Sequence, residues 1–121
     1  MLKIYTYSGC STCRSAVKWL RANGAEFTEL PIRETPPSGR ELAAMLAANA
    51  GEVRRLFNTS GLDYRAQGLK DRLTTMSREE ALVLLACNGN LIKRPFAIDA
   101  TRGVHLVGFR SPQWAAALAK R

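Results

Sequence analysis

At 121 residues, 46% hydrophobic and 23% charged, the chain has the size and balance of one globular domain with a core of its own, not of a fibrous or disordered protein. Eighteen lysines and arginines against ten acidic residues give a formal net charge of +8, which suits an anionic small substrate or an acidic protein partner. Three cysteines, two of them in Cys10-Ser11-Thr12-Cys13, exclude an even disulfide framework and suit a redox-active pair in a reducing cytoplasm. The start lacks the pattern of a signal peptide, and no apolar run reaches the length of a membrane span, so no membrane association is expected. No basic run exceeds two residues and no aromatic residues interleave with basic ones, so direct nucleic-acid binding is not expected either.

Leu2 to Tyr7 alternates and is rich in β-formers, which predicts a strand. Ser8-Gly9 turns, and Ser15 to Asn23 is expected as a helix closed by Gly24. Glu26 to Ile32 predicts a second strand, ended by Glu34-Thr35-Pro36-Pro37. Ser38-Gly39-Arg40-Glu41 has capping-box spacing and opens a helix to about Asn49, with Leu42, Met45 and Leu46 on one face. Val53 to Phe57 reads as a helical turn, and Leu62 to Leu73 as partly helical. Ser77-Arg78-Glu79-Glu80 is a second capping box before an apolar helix that runs to Cys87 and Asn88 and ends at Gly89. Cys87, among Ala81, Leu82, Leu84 and Leu85, is expected to be a small buried hydrophobe. Phe96 to Asp99 and Val104 to Gly108 predict a hairpin turned at Arg102-Gly103. Ser111-Pro112 reads as an N-cap with proline in first position, followed by a last helix to Ala119. Trp19 and Trp114 read as core, and His105 as an ordinary strand residue.

The order β-α-β, helical block, β-β-α, with C-x-x-C at the first helix, is the outline of a mixed α/β, thioredoxin-like (glutaredoxin-like) fold. Residues 1–121 are expected as one domain, with a helical insertion over about 38–89 packed on the same core. The cysteine pair lies where a strand ends and a helix begins. Free backbone N–H groups and the positive dipole end favour a thiolate there. Cys10 is nearer those N–H groups and the loop and is expected to attack, with Cys13 resolving. A zinc half-site would need a second pair of ligands, and only Cys87 and His105 remain. No metal or bound cofactor is expected.

The sequence resembles the arsenate reductase (ArsC)/Spx/MgsR family of thioredoxin-like proteins over nearly its whole length. The resemblance rests on Tyr5-Thr6-Tyr7-Ser8-Gly9-Cys10-Ser11-Thr12-Cys13-Arg14, on Leu56-Phe57-Asn58-Thr59-Ser60-Gly61 and Gly68-Leu69-Lys70-Asp71, and on Asn88 to Pro95 and Val107-Gly108-Phe109. A small group of uncharacterised C-x-x-C members matches the insertion better than either named branch. The resemblance implies that Cys10 attacks an oxyanion or a disulfide, with Cys13 or glutathione resolving. It implies that Arg14, in C-x-x-x-R spacing, steadies the thiolate, and that Arg94, before a proline that is usually cis, contacts the bound anion. Thr12, Pro95 and Asn58 complete the implied anion site. Glutathione, glutaredoxin or thioredoxin would supply electrons; the residues themselves mark no oligomer interface, so a monomer is the default expectation.

Several positions depart from the glutaredoxin-dependent arsenate reductases. Thr6 stands where those enzymes place a histidine, and Asn58 and Val107 stand where they bring arginines. They also usually lack the second cysteine. The C-x-x-C resembles instead the Spx branch of redox-sensing regulators, which bind the C-terminal domain of the RNA polymerase alpha polypeptide. Gly51 falls near a glycine that matters for that contact. The implied alternatives are therefore a thiol oxidoreductase and a redox-switched polymerase adaptor.

Overall fold

The computed structural model describes residues 1–119. The chain divides into two compact units, one built from residues 1–31 and 94 onward, the other from Ile32–Lys93. No helix among the described residues is long and apolar enough to cross a membrane.

The first unit carries four strands, β1 (Leu2–Thr6), β2 (Phe27–Pro31), β3 (Phe96–Asp99) and β4 (Val104–Val107), in the order β2-β1-β3-β4. β1 runs parallel to β2, with Leu2 opposite Phe27, and antiparallel to β3, with Ile4 opposite Ala97. β3 and β4 form the hairpin, with Ala97 opposite Leu106. Every residue of β3 is buried, whereas β4 alternates buried and half-buried. This β-α-β plus β-β-α arrangement is thioredoxin-like, as the element order predicts.

Helix α1 (Ser11–Ala22) follows β1 and buries Cys13, Ala16, Val17 and Leu20, the spacing of one helical face. Of these, Ala16, Val17 and Leu20 join Leu2, Ile4, Ala97, Leu106 and Trp114 in one core cluster. Burying each large apolar side chain stabilises the unit by about 1.5–3 kcal/mol. Helix α1 starts four residues before the expected Ser15. The cause is Cys10, whose sulfur takes the N-cap role usually filled by oxygen and accepts the Cys13 N–H. The last helix likewise begins at Ser111, with Arg110 in the cap position at φ −135° and making no side-chain cap bond. Ser111 is thus the first helical residue and not the cap. Trp114, fully buried, donates its Nε1–H to the Gly108 carbonyl at 3.1 Å.

The second unit holds α2 (Gly39–Ala48), α3 (Leu62–Ala66), α4 (Leu69–Arg72) and α5 (Arg78–Cys87), with 3-10 turns at Val53–Leu56 and Gly89–Leu91. Both expected capping boxes form, Ser38 with Glu41 and Ser77 with Glu80. The Ser77 N–H, followed by the Ser77 hydroxyl, holds the Glu80 carboxyl below its usual range. Leu42, Met45 and Leu46 are buried on α2, as their spacing predicts. Cys87 corrects its expectation: it is exposed. Ala81 and Leu85 define the buried face of α5, and Cys87 lies two residues past Leu85, about 200° around the helix. Gly89 sits so close to the Ile32 carbonyl that a Cβ there would collide with it.

The last helix of the chain, α6 (Ser111–Leu118), returns to the first unit and closes its core through Trp114.

Candidate functional site

The strand β1 ends at Thr6, and Tyr7-Ser8-Gly9 carries the chain to the start of α1. The Cys10 N–H donates to the Tyr7 carbonyl at 3.0 Å, which tightens this turn. Cys10 is half-buried at the helix start, while Cys13, one turn on, is 2% exposed. The Cys13 N–H donates to Cys10 Sγ at 3.2 Å. An N–H donor aimed at sulfur suits the anion better than the thiol.

Cys13 differs in kind. Burial pushes its thiol up from the ordinary 9.0 to about 12, helped by its hydrogen bond to Cys10 and by the charge of a Cys10 thiolate. A backbone bond from Tyr7 and the positive charge of Arg94 pull the other way and do not prevail. Cys13 therefore keeps its proton at neutral pH. The two cysteines differ in burial: Cys10 caps the helix start, and Cys13 faces the core.

Arg94 enters from two residues before β3, across the cis Arg94–Pro95 bond. Its guanidinium lies over the Tyr7 ring at 4.8 Å, and its Nη1 is buried with no hydrogen-bond partner. A buried guanidinium N–H without an acceptor is costly on its own and suits an incoming anion. Pro95 is buried, and its carbonyl accepts the Gly108 N–H at 2.9 Å, which ties the proline to the end of β4. Arg14 is exposed, and its Nη1 donates to the Ser8 carbonyl at 2.7 Å. It braces the turn that carries Cys10. Thr12 is exposed in the first turn of α1. Thr6 donates its hydroxyl to Glu29 Oε2 at 2.6 Å.

Cys10, Thr12, Cys13, Arg14, Arg94 and Pro95 all belong to the first unit. Asn58 belongs to the second, where its N–H donates to the Leu91 carbonyl at 2.7 Å and its own carbonyl accepts the Gly61 N–H at 3.1 Å. Two features escape the sequence reading. Tyr7 supplies the ring under Arg94; its place directly before Ser8-Gly9-Cys10 is the only sequence signal. A groove of about 400 Å³ beside Cys13 is lined along α1 by Arg14, Lys18 and Arg21, with Glu29 opposite on β2. Their i, i+4, i+7 spacing was a readable signal of one cationic helix stripe. Among the described residues, no group of three or more His, Cys, Asp or Glu side chains could hold a metal ion.

The model of the ArsC family matches residues 5–117. The uncharacterised Bacillus subtilis protein YusI is 44% identical over 113 residues, covering 93% of this chain and 94% of that protein. The global transcriptional regulator Spx of Enterococcus faecalis is 30% identical over 102 residues, covering 84% of this chain and 76% of the regulator. The crystal structure of a possible arsenate reductase from Streptococcus mutans superposes with a TM-score of 0.84 at 39% identity, covering 92% of each chain.

Proposed function

The chain belongs to the ArsC family, and from that premise we propose that it is a thiol-dependent oxidoreductase of the cytoplasm in which Cys10 is the nucleophile. The observation that carries this reading is the asymmetry of the pair: a half-buried Cys10 whose sulfur accepts the Cys13 N–H, and a Cys13 that is buried. The substrate is a small disulfide or oxyanion, and Arg94 Nη1 is the donor that meets its negative charge.

With a disulfide substrate the electrons balance as follows. The Cys10 thiolate attacks one substrate sulfur, forming a mixed disulfide and expelling the other sulfur as a thiolate. Cys10 then no longer carries charge, and two of the influences that raise Cys13 disappear: the hydrogen bond to a free Cys10 sulfur and its negative charge. Cys13 gives its proton to the departing thiolate and attacks Cys10 Sγ. The second substrate thiol leaves, and a Cys10–Cys13 disulfide remains. Two electrons have passed to the substrate, and two equivalents of an external thiol such as glutathione restore the pair. With an oxyanion such as arsenate, the first bond is sulfur to arsenic with loss of water, and attack of Cys13 or glutathione on that sulfur releases the reduced product.

Turnover of glutathione-linked disulfides and of arsenate, measured on wild type, Cys10→Ser and Cys13→Ser, tests the reading. Loss of all turnover in Cys10→Ser is expected; full activity in that variant sinks the proposal. A second reading, a redox-switched adaptor on the C-terminal domain of the RNA polymerase alpha polypeptide, is favoured by the 30% identity to a transcriptional regulator. Its surface would lie near Gly51, whose carbonyl accepts Arg78 Nε–H at 3.0 Å. Oxidation-dependent binding to that domain without turnover would select it.

A further inference from the structure

The larger cleft of the first unit lies at the other end of α1 from Cys10. Its volume is about 740 Å³, and its walls include Leu2, Trp19, Ala115 and Leu118. Cys10 caps the N-terminus of α1, whereas Asn23 and Gly24, just past its C-terminus, line this cleft. Twelve helical residues span about 18 Å, so this is not the cysteine site.

Two polar groups meet in the cleft. Asp99 has a side chain only 1% exposed, and its Oδ2 has no hydrogen-bond donor. The nearest cations, the Met1 ammonium at 3.8 Å and Arg102 Nη1 at 3.7 Å, stand at ion-pair distance only. Arg102 Nε is also buried and without an acceptor. Asp99 and Arg102, an ion pair with one acceptor and one donor left without a hydrogen bond, thus line one cleft with apolar walls. Each costs free energy until something pairs with it.

Charge narrows the ligand. A simple anion would meet Arg102 but also the Asp99 carboxylate. A simple cation would meet Asp99 but also Arg102. A neutral head that carries an N–H beside an acceptor serves both groups at once. The apolar walls and the Trp19 ring suit a flat body, and the volume falls within the range of about 300–1,000 Å³ usual for small-molecule sites. We propose that this cleft is a second binding site, for a neutral flat heterocycle with adjacent donor and acceptor atoms on one edge, as on a purine nucleoside of the guanine type, read by Asp99 Oδ2 and Arg102 Nε. This site is independent of the redox chemistry at Cys10.

Calorimetric titration of the full chain with guanosine tests it, with 1-methylguanosine, which lacks the ring N–H, as the comparison probe. The variants are Arg102→Met, which removes the donor, and Ala115→Phe, which fills the cleft from an exposed position; both are checked for folding by circular dichroism. The expected result is saturable guanosine binding in the millimolar range or tighter, abolished by Ala115→Phe. Binding should weaken about tenfold or more with 1-methylguanosine and with Arg102→Met. No saturable binding of guanosine, equal binding of the two nucleosides, or binding unchanged in Ala115→Phe would overturn the proposal. Since Ala115→Phe leaves Asp99 and Arg102 in place, it keeps the test decisive if Arg102→Met fails to fold.

Discussion

The division of labour proposed for Cys10 and Cys13 rests on three atoms: the Cys13 N–H, the Cys10 sulfur and the Cys13 sulfur. Because the Cys13 thiol is raised to about 12, chiefly by burial, it should resist alkylation at neutral pH while Cys10 is modified. The sign for stability follows from the same shift. Between 9.0 and about 12 the unfolded chain ionises this thiol and the folded chain does not, so stability falls as pH rises through that window. In Cys10→Ser the negative charge that helps raise Cys13 is gone, and its alkylation should begin at lower pH than in wild type. Mass spectrometry of iodoacetamide-treated protein across a pH series reads both effects; a Cys13 that labels as fast as Cys10 at neutral pH would contradict them. Arg94 makes a different demand. Its buried Nη1 is a charged donor, so Arg94→Met should cost about 2 kcal/mol of anion binding, roughly thirtyfold in KM for an anionic substrate. A KM unchanged for an anionic substrate would remove Arg94 from the site.

Local chemistry decides which elements can be read in advance. The capping boxes at Ser38 and Ser77 were legible because their hydrogen bonds lie within four residues of sequence, and both form. Ser38→Ala should cost about 1 kcal/mol in urea denaturation, since an orphan N–H of Glu41 loses its acceptor. Gly89→Ala should cost more, about 2 kcal/mol, because its Cβ collides with backbone at Ile32 and not with a side chain that can swing away. A Gly89→Ala variant as stable as wild type would contradict this packing. The start of α1 was misread because cysteine is outside the usual N-cap set, although the spacing of Cys13, Ala16, Val17 and Leu20 already marked a helix including Cys13. Cys87 was misread for the opposite reason. Apolar neighbours suggested burial, but the helix turns it away from the face that Ala81 and Leu85 occupy.

Across the whole molecule, the element order and the C-x-x-C position were enough to read the thioredoxin-like sheet, because parallel β1–β2 and antiparallel β3–β4 pairings follow from their connections. The cysteine pair was legible for the same reason. Arg94 could be located but not oriented: nothing in Lys93-Arg94-Pro95 says that the guanidinium lies over Tyr7. The distant cleft was illegible, since Leu2, Trp19, Asp99 and Ala115 come from separate stretches of the sequence. Net charge is the property that acts at this scale. A formal +8 should draw anionic substrates by long-range attraction that salt screens within about 10 Å at 0.1 M. The rate of Cys10 oxidation by an anionic disulfide should therefore fall severalfold from low to high ionic strength, while the rate with a neutral disulfide stays level. Equal salt dependence for the two would assign the charge to another role.

Which cysteine sulfur attacks first is the most direct test of the thiol chemistry. Glutathione disulfide is added to the Cys87→Ser protein, which removes the exposed third thiol, and to the same protein carrying Cys13→Ser or Cys10→Ser. The expected result is a lasting glutathione adduct on Cys10 when Cys13 is replaced, an internal Cys10–Cys13 disulfide without retained glutathione when both are present, and little adduct at neutral pH when Cys10 is replaced. A stable adduct on Cys13 in its place, or no reaction at Cys10, would contradict the assignment of Cys10 as the nucleophile.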